Sequence, residues 1–393
     1  MKVLYSFCIV LLFIIYTTSS DAAITTIVGA NVDAGIRPPT GVCTAFNMTN
    51  AGILTMPDGG GSPSTQQFDI GVLEDSYDGV GYYSIRDGAG NTRVYKVFLS
   101  TLSISNNNQI NTVNNPDAAN VLEGSYYNTL TGRFVSVGRM IVAPCAAPNC
   151  MHFRTYVDNT LESDSTTTII DMTAGADSPT FDGDGTYLQY SVTTGSRIVN
   201  VSPAFIAGAS DTLAVGDTVR GLTVDSTFLY GATFAAGGII KRWDKSNIAA
   251  GETNFTPGIT TPLIQFPVYD SFNGSLYVAG RSTGVSQNIM YKIRTSDMTI
   301  VGSTVFANNQ LLDKILIDPV NDKLYVVFET GGNGNITRVN RSTLVIEQTF
   351  NGTGTANGLT DGQSRIDVIT QTAYLPFNGN GGGAQLQKVS LCD

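Results

Sequence analysis

Histidine is nearly missing from this chain, since His152 is the only one among 393 residues. A Ser-His-Asp relay or a histidine-ligated metal centre would have to run through that single imidazole, which sits in the odd loop APCAAPNCMHF and reads as a surface or packing residue. Charge is scarce as well. Asp, Glu, Lys and Arg make up 14% of the residues, and 32 acids against 22 bases leave a formal net charge of −10. That balance argues against nucleic acid or an anionic membrane surface as partner, because neither attracts an acidic protein. No long apolar run follows the first 16 residues, and no segment sustains apolar positions at helical spacing. WD dipeptides are missing too, apart from Trp243-Asp244.

What is present begins with MKVLYSFCIVLLFIIYTTSSDAA. Lys2 supplies a positive start, Val3 to Tyr16 form the apolar core, and Ser20 and Ala22 stand at small-x-small spacing. Residues 1–22 therefore read as a secretory signal peptide, too short in its apolar part for a comfortable membrane span. A retained signal anchor is the competing reading. The other end, GGGAQLQKVSLCD, is not a hydrophobic lipid-anchor signal. The mature protein is expected to be soluble and extracellular.

Cys8 falls in the signal, which leaves Cys43, Cys145, Cys150 and Cys392. An even number in an exported chain reads as two disulfides. Of the three pairings, Cys145–Cys150 across CAAPNC and Cys43–Cys392 across the two ends are favoured. A zinc site fits poorly, because the spacing is wrong and only one histidine is available. N-x-S/T sequons occur at Asn47, Asn200, Asn254, Asn273, Asn335, Asn340 and Asn351, and with a signal peptide they point to a eukaryotic-type glycoprotein.

Glycine is abundant, at 42 residues, and Tyr and Phe together reach 35, a mix that suits short strands joined by tight turns. The segment NGSLYVAGRSTGVSQNIMYKIRTSDMTIVGSTVF from Asn273 is echoed by NDKLYVVFETGGNGNITRVNRSTLVIEQTF from Asn321. Anchored on one aromatic per copy, the beat falls at Tyr82, Phe134, Tyr187, Tyr230, Tyr277, Tyr325 and Tyr374, with gaps of 52, 53, 43, 47, 48 and 49. Each unit reads strand, turn, strand, loop, strand, turn, strand. One such sheet cannot bury both faces, but seven packed radially can. The expected fold is all-β: a seven-bladed β-propeller of four-stranded antiparallel blades.

Aspartates recur before the anchors. Asp75, Asp270, Asp318 and Asp367 lie seven residues upstream, and Asp182 and Asp225 five. An Asp that ends a strand can accept a hydrogen bond from the backbone two residues on, so these read as turn formers more than as catalytic or calcium-binding acids.

The final copy supplies only RIDVIT, TAYLPF and LQKVSL. FNMTNAGILTM near the start resembles VNRSTLVIEQ, with Asn47 and Asn340 each six residues before an isoleucine. Residues 51–56 are therefore expected to be the missing outer strand of the last blade, closing the ring and removing its open edges. A Cys43–Cys392 bridge at that seam would contribute about 4–5 kcal/mol by loop-closure entropy. The expected organisation is a signal peptide (1–22), a lead-in (23–50) and one propeller domain (51–393).

The LYV-containing unit resembles the NHL and YVTN-type repeats of the β-propeller superfamily over most of residues 67–393, in period and strand order more than in diagnostic residues. The resemblance implies a fold and not a chemistry. In propellers of this kind, active sites lie over the central channel, on the loops at its mouth. Here those loops, DGAGN, TTGS, FAAGG, RSTGVSQN, TGGNGN and NGNGGG, with NNNQINTVNNPDA and NGTGTANGLTDGQ between blades, carry few titrating groups. Asp87, Asp217, Glu252 and Asp361 are scattered acids without a linking pattern for general acid–base work. DGDG at 182–185 and DSYDG at 75–79 lack the EF-hand spacing, so calcium is a weak expectation and no cofactor is expected. TGGNGN joins two strands and has no helix behind it to bind phosphate.

The most individual feature is the insert around Cys145 and Cys150, expected to present Met151, His152 and Phe153 at a stiffened binding tip. The expected function is non-catalytic recognition, adhesion or matrix structure outside the cell, with a protein or glycan ligand or self-assembly. An extracellular hydrolase or lyase with an acid- or calcium-based site at the channel mouth is the alternative.

Overall fold

Every anchor residue of the beat lies in the second strand of a four-stranded antiparallel sheet, and the described residues build seven such sheets. The computed structural model describes residues 43, 45–56, 67–73, 79–86, 92–110, 122–128, 133–140, 149–156, 163–172, 176–182, 185–192, 195–202, 204, 206–214, 219–233, 238–256, 267–281, 288–306, 311–330, 333–352, 364–377 and 384–392. All of these belong to the unit Pro39–Asp393. The sheets occupy residues 67–110, 122–172, 176–212, 219–255, 268–306, 311–351 and, for the seventh, 365–390 together with Thr49–Thr55. Strands run in chain order across each sheet, except that Thr49–Thr55 is the fourth strand of the seventh.

The pattern of burial follows from position in the sheet. In the sixth sheet, Leu324, Tyr325, Val326, Val327 and Phe328 of the second strand are all fully buried, so both faces of that strand are covered. A two-sided apolar run is what a strand packed between neighbouring sheets requires. The fourth strand Thr299–Phe306 instead alternates, with Val301 and Val305 exposed and Thr304 and Phe306 buried. One cluster shows how sheets stack: Tyr277, Ala279, Met290 and Phe306 of the fifth pack on Leu312, Leu324, Phe328 and Leu344 of the sixth. Each such aliphatic side chain removed from water contributes about 1.5–3 kcal/mol.

The first strands lie against one another in succession, from the first sheet to the seventh. The first strand of the first sheet, Gln67–Leu73, also lies against Arg365–Asp367 and Thr372–Phe377 of the seventh.

Two kinds of turn recur. After the Asp that ends a first strand, the fourth residue on takes a left-handed conformation: Gly274 (φ 60°), Asp322 (φ 56°) and Gln371 (φ 51°). In the turn between third and fourth strands the left-handed residue is apolar: Leu102 (φ 50°), Met298 (φ 56°) and Leu344 (φ 60°). These three side chains pack into the preceding sheet. Leu344 joins Tyr277 and Met290, Met298 joins Tyr230 and Ile240, and Leu102 joins Tyr374 and Leu386 of the seventh sheet. In the fourth sheet a short 3-10 helix, Lys245–Ala250, fills the same place, and its buried Ile248 packs on Ile198 and Leu213 of the third.

Several expectations shift. The N-terminal strand is Thr49–Thr55, two residues ahead of the expected 51–56 start. Its register also differs. Gly52 stands opposite Lys388, as Gln348 stands opposite Arg338, so Ile53 is the counterpart of Thr349 and not of Ile346. The Asn47/Asn340 match therefore aligned the two segments three residues out of step, because ladder hydrogen bonds set register where local likeness does not. Asn106 to Ile110, expected in a loop, continue the fourth strand Ser103–Ile110, where a one-sided outer strand tolerates polar residues. Met151, His152 and Phe153 lie within the third strand Asn149–Tyr156, opposite Arg139, Gly138 and Val137, and so do not form a loop tip. Backbone pairing to both neighbours holds them in the ladder. Residues 1–42 and Cys145, with the expectations that fall on them, lie outside the described residues, as do Asp75, Asp87, Asp217 and Asp361.

Candidate functional site

The recurring aspartates are turn caps. Asp270 Oδ1 accepts from Phe272 N at 3.0 Å, Asp318 Oδ1 from Val320 N at 3.1 Å, and Asp367 Oδ1 from Ile369 N at 2.9 Å. Asp225 Oδ1 accepts from Thr227 N at 2.7 Å and Phe228 N at 2.6 Å, while its other oxygen takes the Tyr230 hydroxyl at 2.6 Å. Each is the bond to the residue two on that the sequence pattern implies. Burial pushes the Asp318 carboxyl above the ordinary carboxylate range, against the hydrogen bonds from Asn321 and the turn amides.

A second recurring feature escaped the sequence. The residue facing the anchor tyrosine across the second and third strands is cationic in five sheets: Lys96, Arg242, Lys292, Arg338 and Lys388. In three of them the cation donates to a carbonyl in the third-to-fourth turn of the next sheet. Lys292 Nζ reaches Arg341 O at 3.1 Å, Arg338 Nη2 reaches Phe46 O at 3.4 Å, and Lys388 Nζ reaches Leu99 O at 2.8 Å. Loops of unequal length separate these cations from their tyrosines, so no fixed spacing marks them.

Arg341 adds a further stitch between sheets. Its Nη1 lies 3.0 Å from both oxygens of the buried Asp270 in the fifth sheet, and its Nε donates to Asp322 at 3.0 Å in its own. Burial pulls the guanidinium down, but Asp322 and Asp270 outweigh that and hold it above the usual arginine range.

The polar centre at the seam joins the chain ends. Cys43 and Cys392 are disulfide-bonded, with 5.6 Å between their Cα atoms. Cys43 N donates to Asn321 Oδ1 at 2.9 Å, which ties the bridge to the sixth sheet. The Phe46 ring receives Lys323 Nζ and the Arg338 guanidinium, each 4.8 Å from its centroid. Both cations also bind Glu347, at 2.6 and 2.9 Å. Burial raises that carboxyl, yet the two cations bring it below the usual range. Met48 is buried with Leu316, Tyr325 and Val327 of the sixth sheet, the place that Leu344 takes in the fifth. Where other sheets have a peptide turn between third and fourth strands, the seventh has Leu391, Cys392, the disulfide and residues 43–48.

One acid noted in the sequence finds a partner that was not. Glu252 shares a hydrogen bond with Asp211, and it accepts from Lys241 Nζ at 2.8 Å. Asp211 in turn accepts from Trp243 Nε1 at 2.8 Å. The pair lies between the fourth strand of the third sheet, Ala207–Thr212, and the fourth strand of the fourth sheet, Thr253–Phe255. It is therefore remote from the first strands.

The sequons separate by exposure. Asn47, Asn254, Asn273 and Asn351 are exposed, and Asn200 and Asn340 are half-buried. Asn335 is 5% exposed, inside the third strand of the sixth sheet. The side chains of Met151, His152 and Phe153 are not among those described.

No protein-family model and no curated protein matches the chain. Its fold resembles solved β-propellers. A chain of the crystal structure of Mitotic Checkpoint Complex superposes with a TM-score of 0.62 at 10% identity, covering 91% of this chain and 96% of that one. Chaetomium thermophilum Raptor gives 0.61 at 9% identity, over 89% of this chain and 30% of that one. The β-propeller domain of Myceliophteria thermophila Cps50 (Swd1) gives 0.55 at 6% identity, over 86% and 99%. At such identities the likeness shows the fold alone: this chain is a β-propeller.

Proposed function

We propose that this chain is a secreted, N-glycosylated β-propeller whose seven sheets form one closed ring, and that it acts in non-catalytic recognition, adhesion or surface structure outside the cell. The observation that carries the ring is a repeated contact. Lys388 of the seventh sheet grips the Leu99 carbonyl of the first, and Leu102 packs back on Tyr374. Lys292 of the fifth sheet grips the Arg341 carbonyl of the sixth, and Leu344 packs back on Tyr277, in the same way. The seventh-to-first junction is thus one more copy of the junction inside the array.

The recognition role follows from that scaffold. Its recurring buried acids are committed to turn caps and to Arg341, which makes them parts of the frame. The loops at the ring faces, rich in Gly, Asn and Thr, offer polar neutral surface for a protein or glycan ligand. The similar chain from Mitotic Checkpoint Complex comes from a protein assembly, which agrees with a protein partner.

The test is capture from native extracellular material, alongside glycan-array binding, with and without chelator. This reading predicts a ligand retained with unchanged mass and without need of calcium. A ligand released in cleaved form, or capture abolished by chelation, would instead favour the hydrolase or lyase alternative.

A further inference from the structure

We propose that Asp211, Glu252 and Trp243 form a proton-held latch between the third and fourth sheets, shut while the two carboxyls share one proton and loosened when it leaves. The geometry requires the proton. Ionised carboxylates only accept hydrogen bonds, so two that are bonded to each other must hold a hydrogen between them. Each partner's remaining contact is fixed from the fourth sheet: the indole N–H of Trp243 on Asp211 Oδ2 and the Lys241 ammonium on Glu252 Oε1, both at 2.8 Å. Lys241 also donates to Asn254 Oδ1 at 2.9 Å, which fixes its direction. Behind the pair, Trp243 and Ile248 of the fourth sheet pack on Ile198 and Leu213 of the third. The latch therefore closes the polar margin of an apolar contact between sheets.

The neighbouring charges assign the proton to Asp211. Burial raises the Asp211 carboxyl, the Trp243 N–H opposes this, and the adjacent Glu252 raises it further. Burial also raises Glu252, but Lys241 outweighs it and holds that carboxyl below its usual range. The other charged groups on the packed elements are engaged elsewhere. Arg197 donates to Thr212 Oγ1 at 3.3 Å, Lys245 to the carbonyls of Asp225 and Ser226, and Asp244 accepts from Ser246.

The pH window follows from those directions. Asp211 titrates higher in the folded chain, so its stabilisation is complete below the unfolded value, about 3.9, and is lost as pH rises through the folded value. Glu252 titrates lower when folded, so its stabilisation is present above about 4.3 and is lost as pH falls through its folded value. The latch is shut in mildly acidic solution and loosens towards alkaline pH, when two adjacent carboxylates repel.

The chain has a single tryptophan, and it is the latch donor. Intrinsic emission of the full chain, recorded against pH with circular dichroism as a check on folding, therefore reads this site alone. The expected result is a one-proton step with its midpoint above the ordinary aspartate range. The step is lost in Asp211→Asn, which holds its donor permanently, and falls by about one pH unit in Glu252→Gln. Flat emission across the folded range, or an unchanged step in Asp211→Asn, would overturn the proposal. Should Asp211→Asn not fold, an unmoved midpoint in Glu252→Gln overturns it equally.

Discussion

At the scale of single residues, Arg341 shows how a turn residue becomes a tie between sheets. Asp270 is wholly buried as a side chain and Arg341 is 12% exposed, so removing the cation strands a carboxylate away from water. Arg341→Ala is expected to cost about 3 kcal/mol in denaturant titration, and the added change Asp270→Asn should recover much of it. Part of this was legible in the sequence. The bond from Asp270 to the amide two residues on is local, so the recurring Asp announced its turn. Its ion pair spans 71 positions, and nothing near Asp270 points to Arg341. The Asp211–Glu252 pair was hidden for the same reason. Exposure likewise sorts the sequons. In protein recovered from a glycosylating host, site mapping by mass spectrometry should find glycan among Asn47, Asn254, Asn273 and Asn351, and leave Asn335 bare. Its side chain is buried in a strand opposite Asn351.

At the scale of elements, the third-to-fourth turns determine how sheets meet. Leu344 occupies a left-handed conformation that costs a leucine roughly 1–2 kcal/mol, yet its burial against the fifth sheet outweighs that. Leu344→Ala is expected to lower stability by about 2–3 kcal/mol, an unusual loss for a surface turn, measurable as a shift in urea midpoint at constant m. Gly302 is the receiving surface, since a Cβ there would meet Leu344 Cδ1 at 2.7 Å. Strand number and order within each unit were readable because turn residues and the aromatic anchor repeat along the chain. Register of the N-terminal strand was not. FNMTNAGILTM resembles a fourth strand wherever it is laid, and only its bonds to Gln385–Ser390, more than three hundred residues away, choose the alignment. The placing of Met151, His152 and Phe153 slipped likewise, because CAAPNC signals a loop without saying where the next strand begins.

At the scale of the molecule, the split seventh sheet is the weak point of a ring, and the chain meets it with three devices. Thr49–Thr55 completes the sheet, Met48 fills the slot taken elsewhere by Leu344, and Cys43–Cys392 replaces the peptide turn. By loop-closure entropy, the bridge constrains nearly the whole unfolded chain and contributes about 4–5 kcal/mol. The Cys43→Ser, Cys392→Ser double variant should therefore melt roughly 10 °C lower while keeping its far-ultraviolet dichroism. Loss of strand content at ambient temperature would mean that the fourth strand depends on the bridge to stay in place. The most direct measurement is peptide mapping of the unreduced protein by mass spectrometry. Adjacent terminal strands predict one linked pair of peptides carrying Cys43 and Cys392. Cys43 joined to Cys145 or Cys150, or Cys392 recovered as a free thiol, would contradict a ring closed at that point.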